Sequence, residues 1–338
     1  MSISENKEKT KLLIIGGTGS LGHELVKFYS DKYNEIHIIS RDEDKQWRMK
    51  KLFNSLLIYF YIGDIRNKTR MENLLLSINP TTIILASAMK HIDICQSNIS
   101  ECIETNIIGV KNIAELIENL SVKKLMSCLK TFVFISTDKA CSPINVYGCC
   151  KSISENMFVD LSKKLDNPKI VVLRYGNVLN SRGSVIPLFQ EIAENKEKTF
   201  FPVTSSQMTR FFLTLEESIK LIDNAINHGE SGDIFIPSTS SFIILDIANL
   251  FSEKYGKPVK IVGIRDGEKI HESLINSNEM RRTIFNKKLN NYIIKPESSI
   301  VDNMMNFDSL NLIKPGMTEY SSKDFIKNIA NLNYNPFV

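Results

Sequence analysis

Tyr147 and Lys151 lie four residues apart in NVYGCCKS, a spacing that puts a phenol and an ammonium on one face of a helix. A cation held beside a phenol favours the phenolate, so Tyr147 is a candidate general base near neutral pH and Lys151 the group expected to lower its pKa. The pattern by itself is weak in so lysine-rich a chain. Its setting adds weight: the apolar run TFVFIST ends in Thr137, and the titratable neighbours Asp138 and Lys139 follow at once, just upstream of Tyr147. A solvated strand-end ion pair is the plain alternative for Asp138 and Lys139.

A second chemical signal lies near the N-terminus. LLIIGGTGSLGHELVKFY sets Gly16, Gly19 and Gly22 between a strand and a helix, where backbone amides and the positive helix end suit a pyrophosphate. Candidate cofactor contacts in this GxxGxxG loop are Gly16, Thr18, Gly19, Ser20, Leu21 and Gly22. The next run, EIHIISRDEDK, ends where a carboxylate would hold the ribose diol of NAD or a cation the 2′-phosphate of NADP. Arg41 stands there with Lys45 one helical turn on, which favours NADP. The acidic neighbour Asp42 speaks for NAD, and Arg41 as a solvated strand end is the bland reading. Asp64, followed by Ile65 in YIGDIR, is placed to accept from the adenine amino group. Ala86 and Lys90 follow the fourth run, and Lys90 can reach either cofactor or sugar.

These side chains need a scaffold that brings them to one edge. From Lys11 to Pro187 short β-rich runs alternate with helical stretches: KLLIIGG, EIHIIS, LLIYFYIGD, TTIILASA, TFVFIST and KIVVLRYG read as six parallel strands. The expected fold class is α/β, a doubly wound parallel sheet of Rossmann type whose ligand lies across the carboxyl ends of its strands. Residues 1–10 read as a flexible arm and 11–180 as the dinucleotide-binding domain, with some chain returning from about 205–230. Residues 181–285, with DIFIPS, VKIVGI and two helical stretches, read as a smaller α/β lobe for the substrate. Residues 286–338, rich in Asn and Ser, form an extension to which the sequence assigns no role.

Composition narrows the class. With 43% hydrophobic and 24% charged residues, the 338-residue chain is globular, and it has no apolar run of transmembrane length. The opening MSISENKEKT lacks the apolar stretch of a signal peptide, so a cytoplasmic location is expected. Six cysteines show no CxxC pair and no ligand spacing with the five histidines, which points to reduced thiols and no metal. A net charge of +4 spread along the chain does not point to nucleic acid.

With these residues in view the chain resembles the extended short-chain dehydrogenase/reductases. GGTGSLG, SRDEDKQ, GDIR, SAMKHIDIC, ECIETNIIG, ISTDKACSPINVYGCCK, RYGNVLNSRGSVIPLF, MTRFFLT and GIRDGEKIHESL are similar, in order and spacing, to the inverting UDP-N-acetylglucosamine 4,6-dehydratases of bacterial glycan pathways. The resemblance implies that Tyr147 takes the 4-hydroxyl proton as tightly held NADP oxidises C4. Lys139, its pKa lowered by burial and neighbouring cations, then removes the C5 proton, and a protonated Asp138 donates to the departing 6-hydroxyl. It also places Asn106 behind Tyr147 and Lys151 in a proton relay, a polar residue at a helix start being the alternative. Asn177, Val178, Arg182, Thr209, Arg210, Arg265 and Glu268 become candidates for the nucleotide diphosphate of a UDP-sugar, with Arg265 and Glu268 the best supported and Arg210 alternatively a structural partner. The family's YGATK is YGCCK here and TDKAA is TDKAC, changes that read as packing of small thiols. A homo-oligomer is expected by analogy. A UDP-sugar 4-epimerase, a retaining dehydratase and an NADP-sensing regulator without turnover stay open as alternatives.

Overall fold

The computed structural model describes residues 9–181, 183–296, 318–332 and 334–337; Arg182 and the first eight residues of the expected arm lie outside them. The six apolar runs form β1 (Lys11–Ile15), β2 (Glu35–Ser40), β3 (Ile58–Ile62), β4 (Thr82–Leu85), β5 (Thr131–Ile135) and β6 (Lys169–Leu173). They pair in parallel in the order 3-2-1-4-5-6. Leu12 and Ile14 point to one face, with Leu25, Val133 and Val171; Leu13 and Ile15 point to the other, with Phe132, Phe134 and Phe158. Helices cover both faces, so these strands read as continuous apolar runs rather than as alternation. The strand order reverses between β1 and β4, and the crevice at their carboxyl ends is where such a sheet takes a ligand.

The sheet is wider than the sequence indicates. β10 (Ile234–Pro237) lies parallel to β6, and the hairpin β14 (Thr283–Asn286) and β15 (Asn291–Ile294) adds two antiparallel strands beyond it, nine in all. The expected boundaries are corrected accordingly: DIFIPS is an interior strand of the main sheet, not part of the lobe, and the hairpin straddles the division drawn at residue 285. All four residues of β10 are buried, so the strand needs neighbours on both edges. The helix Leu215–His228 returns to the main sheet and buries Ile219, Ile222 and Ala225 against the Leu12 side of its core.

The lobe holds β7 (Asn177–Val178), β9 (Thr209–Leu213) and β11 (Ser241–Ile243) in one small sheet, and β8 (Phe201–Val203) beside β12 (Val259–Ile261) in another. Phe189, Phe201 and Phe251 centre its core, their ring centroids 5.5–5.7 Å apart and their planes steeply tilted. Phe337 closes on Phe251 at 5.1 Å. β13 (Ser273–Ile275) pairs with β16 (Tyr320–Ser321), and the buried Tyr320 ring touches Phe211 of β9, Tyr292 of β15 and Phe325. The described part of the extension therefore clasps lobe to sheet. Among the described residues no helix is long and apolar enough to cross a membrane.

Candidate active site

A cleft of about 750 Å³ runs along the carboxyl ends of the central strands and under the lobe. Its floor is the glycine loop. Gly16 has φ +89°, and a Cβ there would sit 2.6 Å from the Ser87 amide nitrogen; a Cβ on Gly22 would sit 1.9 Å from the Gly17 carbonyl oxygen. Those two glycines let β1, β4 and the following helix close up. Gly19 is different, because a Cβ on it would meet nothing nearer than 3.9 Å. It is the N-cap of the helix Ser20–Tyr29, which has no side-chain cap, so the helix end is open to an anion. Thr18, Ser20 and Leu21 line the same floor.

At the end of β2 the acidic neighbour is already engaged. Asp42 caps the helix Glu43–Phe53, accepting from the Lys45 amide at 3.0 Å, and its other oxygen pairs with Lys45 Nζ at 2.6 Å. Arg41 is half-exposed on the cleft wall, 3.8 Å from Asp64. Asp64 is held by Arg66 through Nε at 3.0 Å and Nη2 at 2.8 Å. Partial burial pushes its carboxyl up, but Arg66 and Arg41 outweigh that and hold it below the usual range. Ile65, Ala86 and Lys90 complete this half of the wall. The open helix end and the close-packed Gly16 fit the pyrophosphate of a dinucleotide.

Beyond β5 the chain turns once as a 3₁₀ helix, Asp138–Ala140, and then enters the helix Val146–Ser162. Thr137, Asp138, Lys139, Tyr147 and Lys151 meet there. The Thr137 hydroxyl, bonded to Tyr147, donates to Asp138 Oδ1 at 2.9 Å, and Lys139 Nζ donates to the same oxygen at 2.9 Å. Asp138 is fully buried, and its Oδ2 has no hydrogen-bond partner. Thr137, Lys139, Tyr147 and Lys151 line the cleft, with Asp138 behind them.

Two expectations about protonation are corrected. Burial pushes the Tyr147 phenol up, offset only in part by the Thr137 bond, and pushes the Lys151 ammonium down to about 7 despite Glu155. Lys151 does not lower the phenol here, because it donates instead to the Ile135 carbonyl at 2.6 Å and rests over the Phe134 ring. For Lys139 burial also lowers the pKa, but the Asp138 and Glu272 carboxylates more than reverse it, so the ammonium is favoured rather than the free amine.

The sugar side draws on distant segments. Asn177 and Val178 of β7, Arg210 of β9, and Arg265 and Glu268 of the loop before β13 all line the cleft. Asn177 Oδ1 lies 3.5 Å from Lys139 Nζ, beside the Asp138–Lys139 contact. Arg210 is buried and donates to the carbonyls of Thr209, Lys269 and Ile270 at 2.8–3.1 Å, so most of its fork holds a loop and little remains for phosphate. Besides Asp138, two described candidates are not brought to the cleft wall. The Thr209 hydroxyl bonds His271 Nδ1 and Ser322 Oγ, both at 2.8 Å. Asn106, in a π-helical turn, brackets the Met89 backbone, accepting at 2.9 Å and donating at 2.8 Å.

Sequence reasoning missed several partners. Asn145 caps the Tyr147 helix, accepting from the Gly148 amide at 2.7 Å, and its amide donates to the Gly267 carbonyl at 2.7 Å. Arg174, at the end of β6, is fully buried between Glu155 and Glu279, its Nη2 2.6 Å from one carboxylate and 2.8 Å from the other. Glu272 lies behind Lys139. A Glu four residues after Lys151 was the one readable hint of the Arg174 cluster. Cys95, Cys102 and Cys150 pack with Tyr147, and burial pushes the Cys150 thiol up to about 12, as suits a packing group, whereas Cys149 is exposed and the packing reading of YGCCK is corrected for it.

The family model described as polysaccharide biosynthesis protein matches residues 12–294. The chain belongs to this family. Among curated relatives, the UDP-N-acetylglucosamine 4,6-dehydratase (inverting) of Campylobacter jejuni is 38% identical over 87% of this chain and 85% of its own length. The UDP-glucose 4-epimerase of Rickettsia felis is 37% identical over 80% and 79%. Of solved structures, Pen from Bacillus thuringiensis superposes with a TM-score of 0.78 at 29% identity, covering 86% of this chain and 90% of that one. DesIV, a dTDP-glucose 4,6-dehydratase from Streptomyces venezuelae with NAD and TYD bound, gives 0.68 at 17% identity over 89% and 96%, a likeness of fold alone. This polysaccharide biosynthesis family member thus shares its doubly wound α/β frame with nucleotide-sugar enzymes.

Proposed function

We propose that the chain is a UDP-N-acetylglucosamine 4,6-dehydratase that inverts C5 and works with NADP. The observation that carries the reading is the Lys139–Asp138 contact of 2.9 Å, joined through Thr137 to Tyr147 on one wall of the cleft. A carboxyl and an amine sharing one proton are what an elimination across C5 and C6 requires. With that proton on Asp138, Lys139 is free to take the C5 proton, while Asp138, buried behind the wall, passes its proton to the departing O6 through the Thr137 hydroxyl that lines the cleft, and water leaves. Tyr147 holds the O4 proton. NADP bound in the cleft supplies the hydrogen acceptor at C4, the donor at C6 and, while oxidised, a positive charge that favours the Tyr147 phenolate. Arg41, with Asp42 engaged by Lys45, supports NADP over NAD. Arg265 and Glu268 are suited to the UDP phosphates and ribose hydroxyls. The curated dehydratase relative supports the same reading.

The Rickettsia relative supports a second reading, a UDP-sugar 4-epimerase, which needs no acid–base pair beside the tyrosine. NMR of UDP-N-acetylglucosamine in deuterated buffer separates the two. The dehydratase loses one water, takes deuterium at C5 and inverts there; an unchanged mass or retained C5 configuration refutes the reading. Lys139→Ala is expected to slow C5 exchange at least about 100-fold, the lower end of what a positioned base contributes.

A further inference from the structure

We propose that Glu272 is a positioning residue for the acid–base pair, a second carboxylate that fixes where the Lys139 ammonium sits and how readily its proton passes to Asp138. The inference rests on the reading of Lys139 and Asp138 given above. Glu272 is 1% exposed and does not line the cleft, so it touches neither sugar nor cofactor. Its Oε1 lies 3.8 Å from Lys139 Nζ, which is 2.9 Å from Asp138 Oδ1, so one cation faces two carboxylates. Its Oε2 has no hydrogen-bond partner and stands 3.6 Å from Lys269 Nζ.

The backbone around Glu272 is held on both sides. Its amide donates to Ser322 Oγ at 2.9 Å, and the Ser322 amide donates to its carbonyl at 2.7 Å. Arg210 grips the carbonyls of Lys269 and Ile270 just before it. A carboxylate placed this firmly in a dry site, short of a full set of hydrogen bonds, is costly for stability alone. Its effect on a buried ammonium within 4 Å is large for the same reason.

The charged groups facing Glu272 are Asp138 and Lys139 after β5, Arg210 on β9 and Lys269 on its own loop. His271 turns to Thr209 and is held neutral by burial, Lys323 and Arg210, with Asp324 opposing. Burial pushes the Glu272 carboxyl up, while Lys139, Arg210 and Lys269 pull it down and Asp138 adds to the rise, leaving it above the usual carboxylate value. Removing its charge takes one of two anions from the Lys139 ammonium and eases release of the proton that must move to Asp138 before C5 is attacked.

The test is the pH profile of C5 deuterium exchange in full-length protein with NADP and UDP-N-acetylglucosamine. Glu272→Gln keeps the shape and is expected to shift the acid limb down by about one pH unit, partial compensation by Arg210 and Lys269 keeping the shift that small. KM for the UDP-sugar is expected to change less than about twofold, since Glu272 lies off the cleft wall. Glu272→Asp keeps the charge but draws it back from Lys139 and is expected to shift the limb down by less than Glu272→Gln, which keeps the test alive if Glu272→Gln does not fold. A wild-type limb in either folded variant, or a changed melting temperature alone, overturns the proposal. Lys139→Ala run alongside separates the two ideas: intact exchange there removes the acid–base reading and this one with it, whereas abolished exchange with an unmoved Glu272→Gln limb removes only the role of Glu272.

Discussion

The two halves of the cleft are built by different means. The half at the glycine loop is centred on one strand, one turn and one helix contiguous in sequence, flanked by the ends of β2, β3 and β4, and its closest approaches are to backbone at Gly16 and Gly22. The half beneath the lobe is assembled from β7, β9, the loop before β13 and the segment after β16, joined by side chains that reach backbone groups far along the chain: Arg210 to Lys269 and Ile270, Asn145 to Gly267, Ser322 to Glu272. Local geometry makes the first half hard to alter without breaking the fold. Long-range hydrogen bonds make the second half adjustable one contact at a time, which suits a chain whose curated relatives carry both dehydratase and epimerase names.

That contrast can be broken by experiment. Its sharpest test is a pair of alanines in one loop. Gly22→Ala drives a Cβ to 1.9 Å from the Gly17 carbonyl and is expected to lose about 1–3 kcal/mol of stability by thermal or denaturant unfolding, together with cofactor binding. Gly19→Ala has room and is expected to unfold like the wild type while binding NADP more weakly, since the methyl occupies the approach to the helix end. Equal unfolding of the two would show that the loop is not set by backbone contact. On the substrate side, Asn145→Asp keeps an acceptor for the Gly148 amide but loses the donor to Gly267. One neutral hydrogen bond is worth about 1 kcal/mol, so KM for the UDP-sugar is expected to rise about fivefold with NADP affinity unchanged. A matching loss of NADP affinity would merge the halves. The smallest effect is assigned to Arg41→Ala, an exposed position, where the preference for NADP over NAD is expected to fall by less than about tenfold in equilibrium binding.

How much could be read beforehand follows the same divide. β1 to β6 were legible because strands buried on both faces leave unbroken apolar runs, and the glycine loop because its spacing is a local steric requirement. The Thr137–Lys139 and Tyr147–Lys151 groups were legible because a strand end and one helical turn bring them together. The place of β10 in the main sheet was not, since a short apolar run does not name its partners. The use of Arg210 on carbonyls some sixty residues away was equally hidden. Nor does GEKIHESL mark which of its acids ends up buried; Glu272 is singled out only once Ser322 and Lys139 are in place. The protonation of Lys139 was misread because two carboxylates, one of them distant in sequence, outweigh its burial.

The reciprocal bonds between Ser322 and Glu272 bear on the order in which the enzyme comes into being. A chain leaving the ribosome can close its phosphate loop as soon as β1, the next helix and β4 have emerged. The Glu272 side of the acid–base wall waits for Ser322, made some fifty residues later. A growing or prematurely ended chain would thus pass through a form with its glycine loop closed but without the wall to which we assign the elimination, so that on this reading capture of the cofactor precedes competence to use it.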